Sequence, residues 1–184
     1  MKTMKRISVL LIVLLVNSQL WAQSDQPNNH KYKAFEMSIS DCLNFQAEAK
    51  LGIKPVYGIF GIGNQFLFEN YQWALGLGLG THLLKQEKQS INLEYMIYHV
   101  NQNELWTDNF NSLQQVKILY SRRVGKIVSI FGGPVFNLNI AENKESYGHT
   151  FESTFPPYEM YTNVGTNHTS VGWIGFTLGL RFDR

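Results

Sequence analysis

The sequence predicts an all-β fold: an eight-stranded antiparallel up-and-down barrel that crosses a membrane, preceded by a cleaved signal peptide. Three observations lead there. The first is the segment Ile174-Gly-Phe176-Thr-Leu178-Gly-Leu180-Arg-Phe182, in which large apolar residues alternate with Gly175, Thr177, Gly179 and Arg181. Successive side chains of a strand point to opposite faces, so this strand has one greasy face and one small or polar face. Glycines and a charge on the second face suit the inside of a barrel whose outside meets lipid. The second observation is that similar segments recur along the chain, at lengths close to the roughly 9–11 residues of a tilted membrane strand. The third is that no stretch beyond residue 22 has the run of about 18 apolar residues that a membrane helix needs. A closed barrel is then the way to satisfy the backbone in lipid.

Residues 1–22 read as a signal peptide. Lys2, Lys5 and Arg6 precede an unbroken apolar run from Ile7 to Val16, too short to span as a helix, and Ala22 is the small residue before the expected cut. Residue 23 is Gln, whereas a lipoprotein would carry cysteine at the cut. Removing the three cations takes the formal charge from +2 to −1, which gives no electrostatic case for nucleic acid. The single cysteine, Cys42, cannot form an internal disulfide and reads as a small residue without chemistry.

After a polar lead-in, residues 23–30, the barrel domain is expected over residues 31–184. The first strand, about 31–40, sets Phe35, Met37 and Ile39 on one face. The second, about 43–54, alternates Phe45, Ala47, Ala49, Leu51 and Ile53 with Gln46, Glu48, Lys50 and Gly52, and Pro55 marks its turn. The third, about 56–68, is apolar on both faces. The fourth, about 71–84, alternates Tyr71, Trp73, Leu75, Leu77 and Leu79 with Gln72, Ala74, Gly76, Gly78 and Gly80. The fifth, about 90–101, sets Ile91, Leu93, Tyr95 and Ile97 opposite Asn92 and Glu94. The sixth, about 112–123, sets Val116, Ile118 and Tyr120 opposite Gln115, Lys117 and Ser121. The seventh, about 127–140, contains Pro134, which removes a ladder donor and suggests a bulge. Residues 141–169 read as a long polar and aromatic loop, and the eighth strand spans 170–183.

The connections support this count. Barrels that start and end in the periplasm have short turns there and longer loops outside. The turns near 54–55, 85–89 and 123–126 are short, whereas 102–111 and 141–169 are long. The outer connections near 41–42 and 69–70 are also short.

Alternation places Glu36, Glu48, Lys50, Glu94, Lys117 and Arg181 on the inner face. Three acids and three bases left unpaired there would be costly, and an eight-stranded bore is narrow enough for side chains to fill. The expectation is an interior salt-bridge network that plugs the barrel, the alternative an ion or proton path. Phe45, Phe68, Tyr71, Trp73, Tyr98, Tyr120 and Phe182 lie near strand ends and suit interfacial girdles. In the 141–169 loop, Tyr147, Phe151, Phe155, Tyr158 and Tyr161 are candidate surface-binding residues or a lid over the mouth. The histidines, His30, His82, His99 and His149 among them, show no metal-ligand spacing, so no metal or other cofactor is expected.

The chain resembles small bacterial outer-membrane β-barrels of the OmpA/OmpX type. Asn111-Ser-Leu-Gln-Gln-Val, Ile130-Phe-Gly-Gly-Pro-Val-Phe-Asn137 and the ending Gly179-Leu-Arg-Phe182 are similar to the PorT-type barrels common in Bacteroidota. The resemblance implies an outer-membrane location with periplasmic termini. It also implies contact with membrane lipid, and a last strand read by the barrel-assembly machinery. Here Asp183-Arg184 follow the terminal aromatic, a departure from that pattern. The expected function is non-enzymatic: an envelope-structural or surface-interaction role, with an unidentified surface ligand or protein as partner. His168-Thr-Ser170 resembles the His-x-Ser of outer-membrane lipid A deacylases, but Val171-Gly172 replace the family's Asn-Ala. A lipid-modifying enzyme is therefore one alternative. A secreted soluble barrel holding a small apolar ligand is the other.

Overall fold

The computed structural model of the chain describes residues 31–65, 72–102, 106, 110–142, 158–165 and 167–183, with Gln102 and 158–164 described by backbone alone. Regular structure within these residues is all strand: β1 (Lys31–Ser40), β2 (Phe45–Ile53), β3 (Val56–Gln65), β4 (Gln72–Lys85), β5 (Gln89–Gln102), β6 (Asn111–Arg123), β7 (Val128–Glu142), β8 (Tyr158–Val164) and β9 (His168–Asp183). From β1 to β7 each strand pairs antiparallel with the next, β7 pairs with β9, and β9 pairs with β1. The sheet thus closes as an eight-stranded antiparallel barrel. The expected signal peptide and lead-in lie outside the described residues.

A row of paired residues followed round the wall measures the stagger. From Phe35 it passes through Ala49, Phe60, Leu77, Ile97, Gln114 and Leu138 to Gly172, yet Phe35 itself faces Phe182, ten residues further on. With a rise of about 3.3 Å per residue and strands about 4.8 Å apart, that stagger tilts the strands by about 40°.

Burial alternates along the strands as a barrel requires. On β1, Tyr32, Ala34, Glu36 and Ser38 face the bore, while Phe35, Met37 and Ile39 face out. The apolar core lies inside, among Tyr57, Ile59, Met96, Tyr98, Leu113 and Trp173. Inward glycines make room for these rings. A Cβ on Gly76 would stand 2.6 Å from Cε1 of Tyr98, and one on Gly80 would stand 2.5 Å from Cζ of Tyr57.

Three expectations need correction. The 141–169 segment is not all loop, because Tyr158–Val164 forms β8. The cause is a difference in length. β9 has 16 residues and β1 has 10, so β1 covers Thr177–Asp183 and β8 takes Thr169–Ile174 on the same edge. Pro134 causes no bulge. The β6–β7 ladder lapses between the pairs Lys117–Val135 and Tyr120–Gly132 and resumes in the same register. The β-bulge of the barrel wall lies instead in β4, between His82 and Leu84. The connection after β1 is short and folds inward, with Asp41, Cys42, Leu43 and Asn44 all buried. Tyr98 belongs to no girdle, because it is fully buried and donates its hydroxyl to Glu48 Oε1 at 2.8 Å. Of the other proposed girdle aromatics, Tyr120 and Phe182 face out and Phe45 and Trp73 are half-buried, while Phe68 and Tyr71 lie outside the described residues.

Gly76→Val should lower unfolding stability of the folded barrel by about 1–3 kcal/mol through overpacking against Tyr98. Leu77→Val, on the outer face one residue away, should cost less than about 1.5 kcal/mol. Urea titration of both variants checks this, and equal losses would contradict the face assignment.

Candidate functional site

Six residues from five strands meet in the middle of the bore: Glu36 of β1, Glu48 and Lys50 of β2, Glu94 of β5, Lys117 of β6 and Arg181 of β9. The pleat turns each inward, and closure of the sheet brings them together. Three of their contacts are already cross-strand neighbours, since Glu36 faces Glu48 and Arg181, and Glu94 faces Lys117. All six are at most 2% exposed.

Lys50 is the hub. Its Nζ lies 2.5 Å from Glu94 Oε1, 2.7 Å from Glu36 Oε2 and 3.6 Å from Glu48 Oε2. Lys117 Nζ lies 2.5 Å from Glu48 Oε1, and Arg181 Nε pairs with Glu36 Oε1. Tyr57 donates its hydroxyl to Glu94 Oε1 at 2.6 Å. The Asn92 amide satisfies its neighbours when its oxygen faces Arg181. That oxygen then accepts from both guanidinium NH groups at 2.6 and 2.7 Å, and its nitrogen donates to His82 Nδ1 at 2.9 Å. Three carboxylates face three cations, so the cluster is neutral as a whole.

The same geometry bears on metals. Oxygens of Glu36, Glu48 and Glu94 lie within 4.8 Å of one another, close enough to hold an ion. The Lys50 ammonium occupies the place between them, supplying the positive charge a metal would supply. Sequence reading found the six residues but not this ranking, which depends on reach across the bore rather than on spacing along any strand.

Above the charges lies a neutral polar layer. Gln115 Nε2 donates to Asn137 Oδ1 at 2.8 Å and to Cys42 Sγ at 3.2 Å. The 41–44 segment folds down over this layer. Asp41 accepts from Trp173 Nε1 at 2.6 Å and from the Phe176 backbone N–H at 3.1 Å. Burial pushes the Cys42 thiol up to about 12, so it stays protonated and inert at neutral pH. On the other side of the charges, the rings of Tyr32, Tyr57 and His82 pack together with centroids about 5 Å apart.

Among the described residues, the remaining candidates do not assemble into a second centre. Tyr147, Phe151 and Phe155 lie outside the described residues, and Tyr158 and Tyr161 lie on β8. His168 is exposed, with its ring edge-on to Phe110 at 6.2 Å, and Ser170 is half-buried. Glu142 stands opposite His168 in the ladder, but its carboxylate accepts from the Phe110 N–H. His99 stacks on Trp106 on the outer wall. A groove of about 590 Å³ lies on the outer wall among Leu51, Gly58, Phe60, Leu77, Leu79 and Tyr95, not in the bore. No family model matches the chain, and no curated protein matches it.

Lys50→Met should destabilise the barrel by about 3–5 kcal/mol, because it strands buried carboxylates. Lys117→Met should cost less, since Glu48 keeps Lys50 and Tyr98 as partners. Denaturant midpoints of the two variants decide it, and a larger loss for Lys117→Met would refute the hub. Cys42 should resist alkylation by maleimide in the folded protein at pH 8 and react fully once unfolded. Fast labelling of the folded barrel would show that the 41–44 segment opens.

Proposed function

We propose that this chain is a non-enzymatic integral outer-membrane barrel, exported by the signal peptide of residues 1–22. Its role is envelope-structural or surface-interacting, carried by the connections at the end opposite the termini. The observation that carries this reading is the inverted distribution of side chains. The bore holds the charges, and the outer wall carries exposed large apolar residues on every barrel strand. These include Phe35, Leu51, Phe60, Leu77, Ile97, Ile118, Ile130 and Leu178. Water-soluble monomers rarely expose a continuous apolar patch of this kind. On β9 the exposed run goes from Ile174 to Phe182. Eight residue steps at about 3.3 Å, tilted by about 40°, give a height of about 20 Å, close to the roughly 25 Å band of outer-membrane barrels. That no helix of the described residues is long and apolar enough to cross a membrane does not bear on a barrel, which crosses with strands.

Kinship with OmpA/OmpX-like barrels, and with the PorT-type barrels of Bacteroidota, belongs to the same proposal. It is supported by the strand number and by the β7 segment Ile130–Asn137. The soluble ligand-binding alternative is weakened by the filled, charged bore. The deacylase alternative is weakened by a His168 with no hydrogen bond to Ser170 or Glu142 among the described residues.

The mature protein should stay with the outer membrane after carbonate and salt washing, and should migrate faster on a gel unless boiled. Leu178→Arg should lose about 2–4 kcal/mol of stability in bilayers as a charge on the lipid face. Recovery of the wild-type chain as a soluble periplasmic monomer would defeat the proposal.

A further inference from the structure

The two ends of the barrel differ in charge. The end where β1 starts and β9 finishes holds the turns 54–55, 86–88 and 124–127. Lys31 and Lys33 of β1 and Arg122 of β6 face outward there, next to the exposed Ile53 and Ile130. Lys54, Lys85, Lys88, Arg123 and Lys126 stand on or beside the turns. Against these eight cations are two described carboxylates, Glu87 and Asp183, and Asp183 is engaged by Arg123 at 3.3 Å. Lys85 Nζ lies over the Tyr32 ring, 5.4 Å from its centroid, at the mouth of the bore. The segments joining strands at the other end read in the opposite sense. Residues 66–71, 103–110 and 143–157 contain Glu69, Glu104, Asp108, Glu145 and Glu152 against Lys144 alone.

We propose that the basic rim seats the barrel on the phosphate groups of anionic phospholipids in the leaflet at its terminal end. The inference rests on the outer-membrane reading above, and it adds the lipid class and the leaflet. Three observations choose this occupant. Lys31, Lys33 and Arg122 project from the lower edge of the apolar belt, where headgroups begin, and long cationic side chains reach into that layer while their stems stay on apolar surface. The cleft at the centre of the rim, between His82, Lys88, Ser121 and Arg181, has a volume of about 30 Å³. A cleft of that size holds a few waters rather than an organic ligand, so the charge addresses a surface. In the sequence, the connections of the opposite end hold five acids and one lysine, so that end offers no comparable set of cations.

The test uses the mature chain folded in neutral detergent micelles, verified by its heat-shifted gel mobility. It is titrated with phosphatidylglycerol or phosphatidylcholine, and native mass spectrometry counts the lipid retained. Each cation near an anionic membrane surface strengthens association about fivefold. Wild type should therefore retain phosphatidylglycerol at least about tenfold better than phosphatidylcholine at low salt. The combined variant Lys31→Gln, Lys33→Gln, Arg122→Gln should fold and lose that preference. If the variant does not fold, wild type in about 0.5 M NaCl gives the second measurement, because screening should bring the two lipids to within about twofold of each other. Equal retention by wild type, or a preference that survives both substitution and salt, overturns the inference. Loss of the preference to inorganic phosphate at matched ionic strength would mean a discrete phosphate site, and capture of polyglutamate in place of lipid would mean an acidic protein partner. Either result overturns the headgroup assignment. Failure of wild type to give a heat-shifted form at all would instead bring down the outer-membrane reading, and this inference with it.

Discussion

The pairing of β1 with β9, from Ala34 opposite Asp183 to Ser40 opposite Thr177, turns a sheet into a tube. Once it forms, the edges of β1 and β9 that would otherwise be open are paired with each other, and the stagger around the ring is fixed. That stagger sets the tilt, and tilt with strand number sets a bore about as wide as two facing side chains. Every inward position then has a size limit imposed from across the bore. Tyr98 and Met96 of β5 can lie inside because Gly76 and Gly78 of β4 beside them carry no side chain, and Leu43 enters because Gly63 lies beneath it. Glycines are costly in strands for their conformational entropy, but here each one replaces an impossible overlap.

The charges inside serve the closure itself. A one-residue slip of a strand turns all its side chains to the other face. At the seam, such a slip would move Arg181 out of the bore and leave Glu36 without its guanidinium. The same holds at β5–β6, where Glu94 and Lys117 are directly opposed. An all-apolar bore would fill the space equally well but would not distinguish registers, since any inward leucine packs against any other. A hub that touches three carboxylates from three strands distinguishes them sharply. Buried ion pairs contribute little net stability against an apolar substitute, and their attested value is in fixing one arrangement against its neighbours.

Strand periodicity carries most of this architecture, which is why the eight barrel strands and the inward set Glu36, Glu48, Lys50, Glu94, Lys117 and Arg181 are legible in the sequence alone. Period-2 alternation is a local signal, and each strand announces its own faces. What local signals cannot convey is reach. Nothing in the spacing of Lys50 says that it meets Glu36, Glu48 and Glu94 at once, because that follows from the ring closing. The 41–44 segment was unreadable for a similar reason: four residues between strands look like a turn whether they point out or in. Their direction is set by partners 132 and 135 positions away, Trp173 and Phe176, which hold Asp41. β8 was hidden because its need arises elsewhere, from the length by which β9 overruns β1. Nearness to a strand end suggests a girdle position for Tyr98, but its parity with Glu94 and Met96 points it inward.

These constraints leave few places for recognition. The bore is filled by its own side chains. The wall, on the membrane reading, is committed to lipid along its height. That leaves the two ends, and they are built differently. The terminal end has three short turns held close to the strands, so it can present a fixed array of cations to a broad surface but can enclose nothing. The opposite end has β9 running beyond the closed ring, with β8 paired to it as a ledge and His168 exposed at its head. Two of its connections, 103–110 and 143–157, are long and rich in carboxylates and aromatics. Such segments on a rigid tube can vary without disturbing the tube, because closure entropy depends only weakly on loop length. A chain arranged in this way has put its invariant physics into the ring and left its contacts with other molecules to the margins.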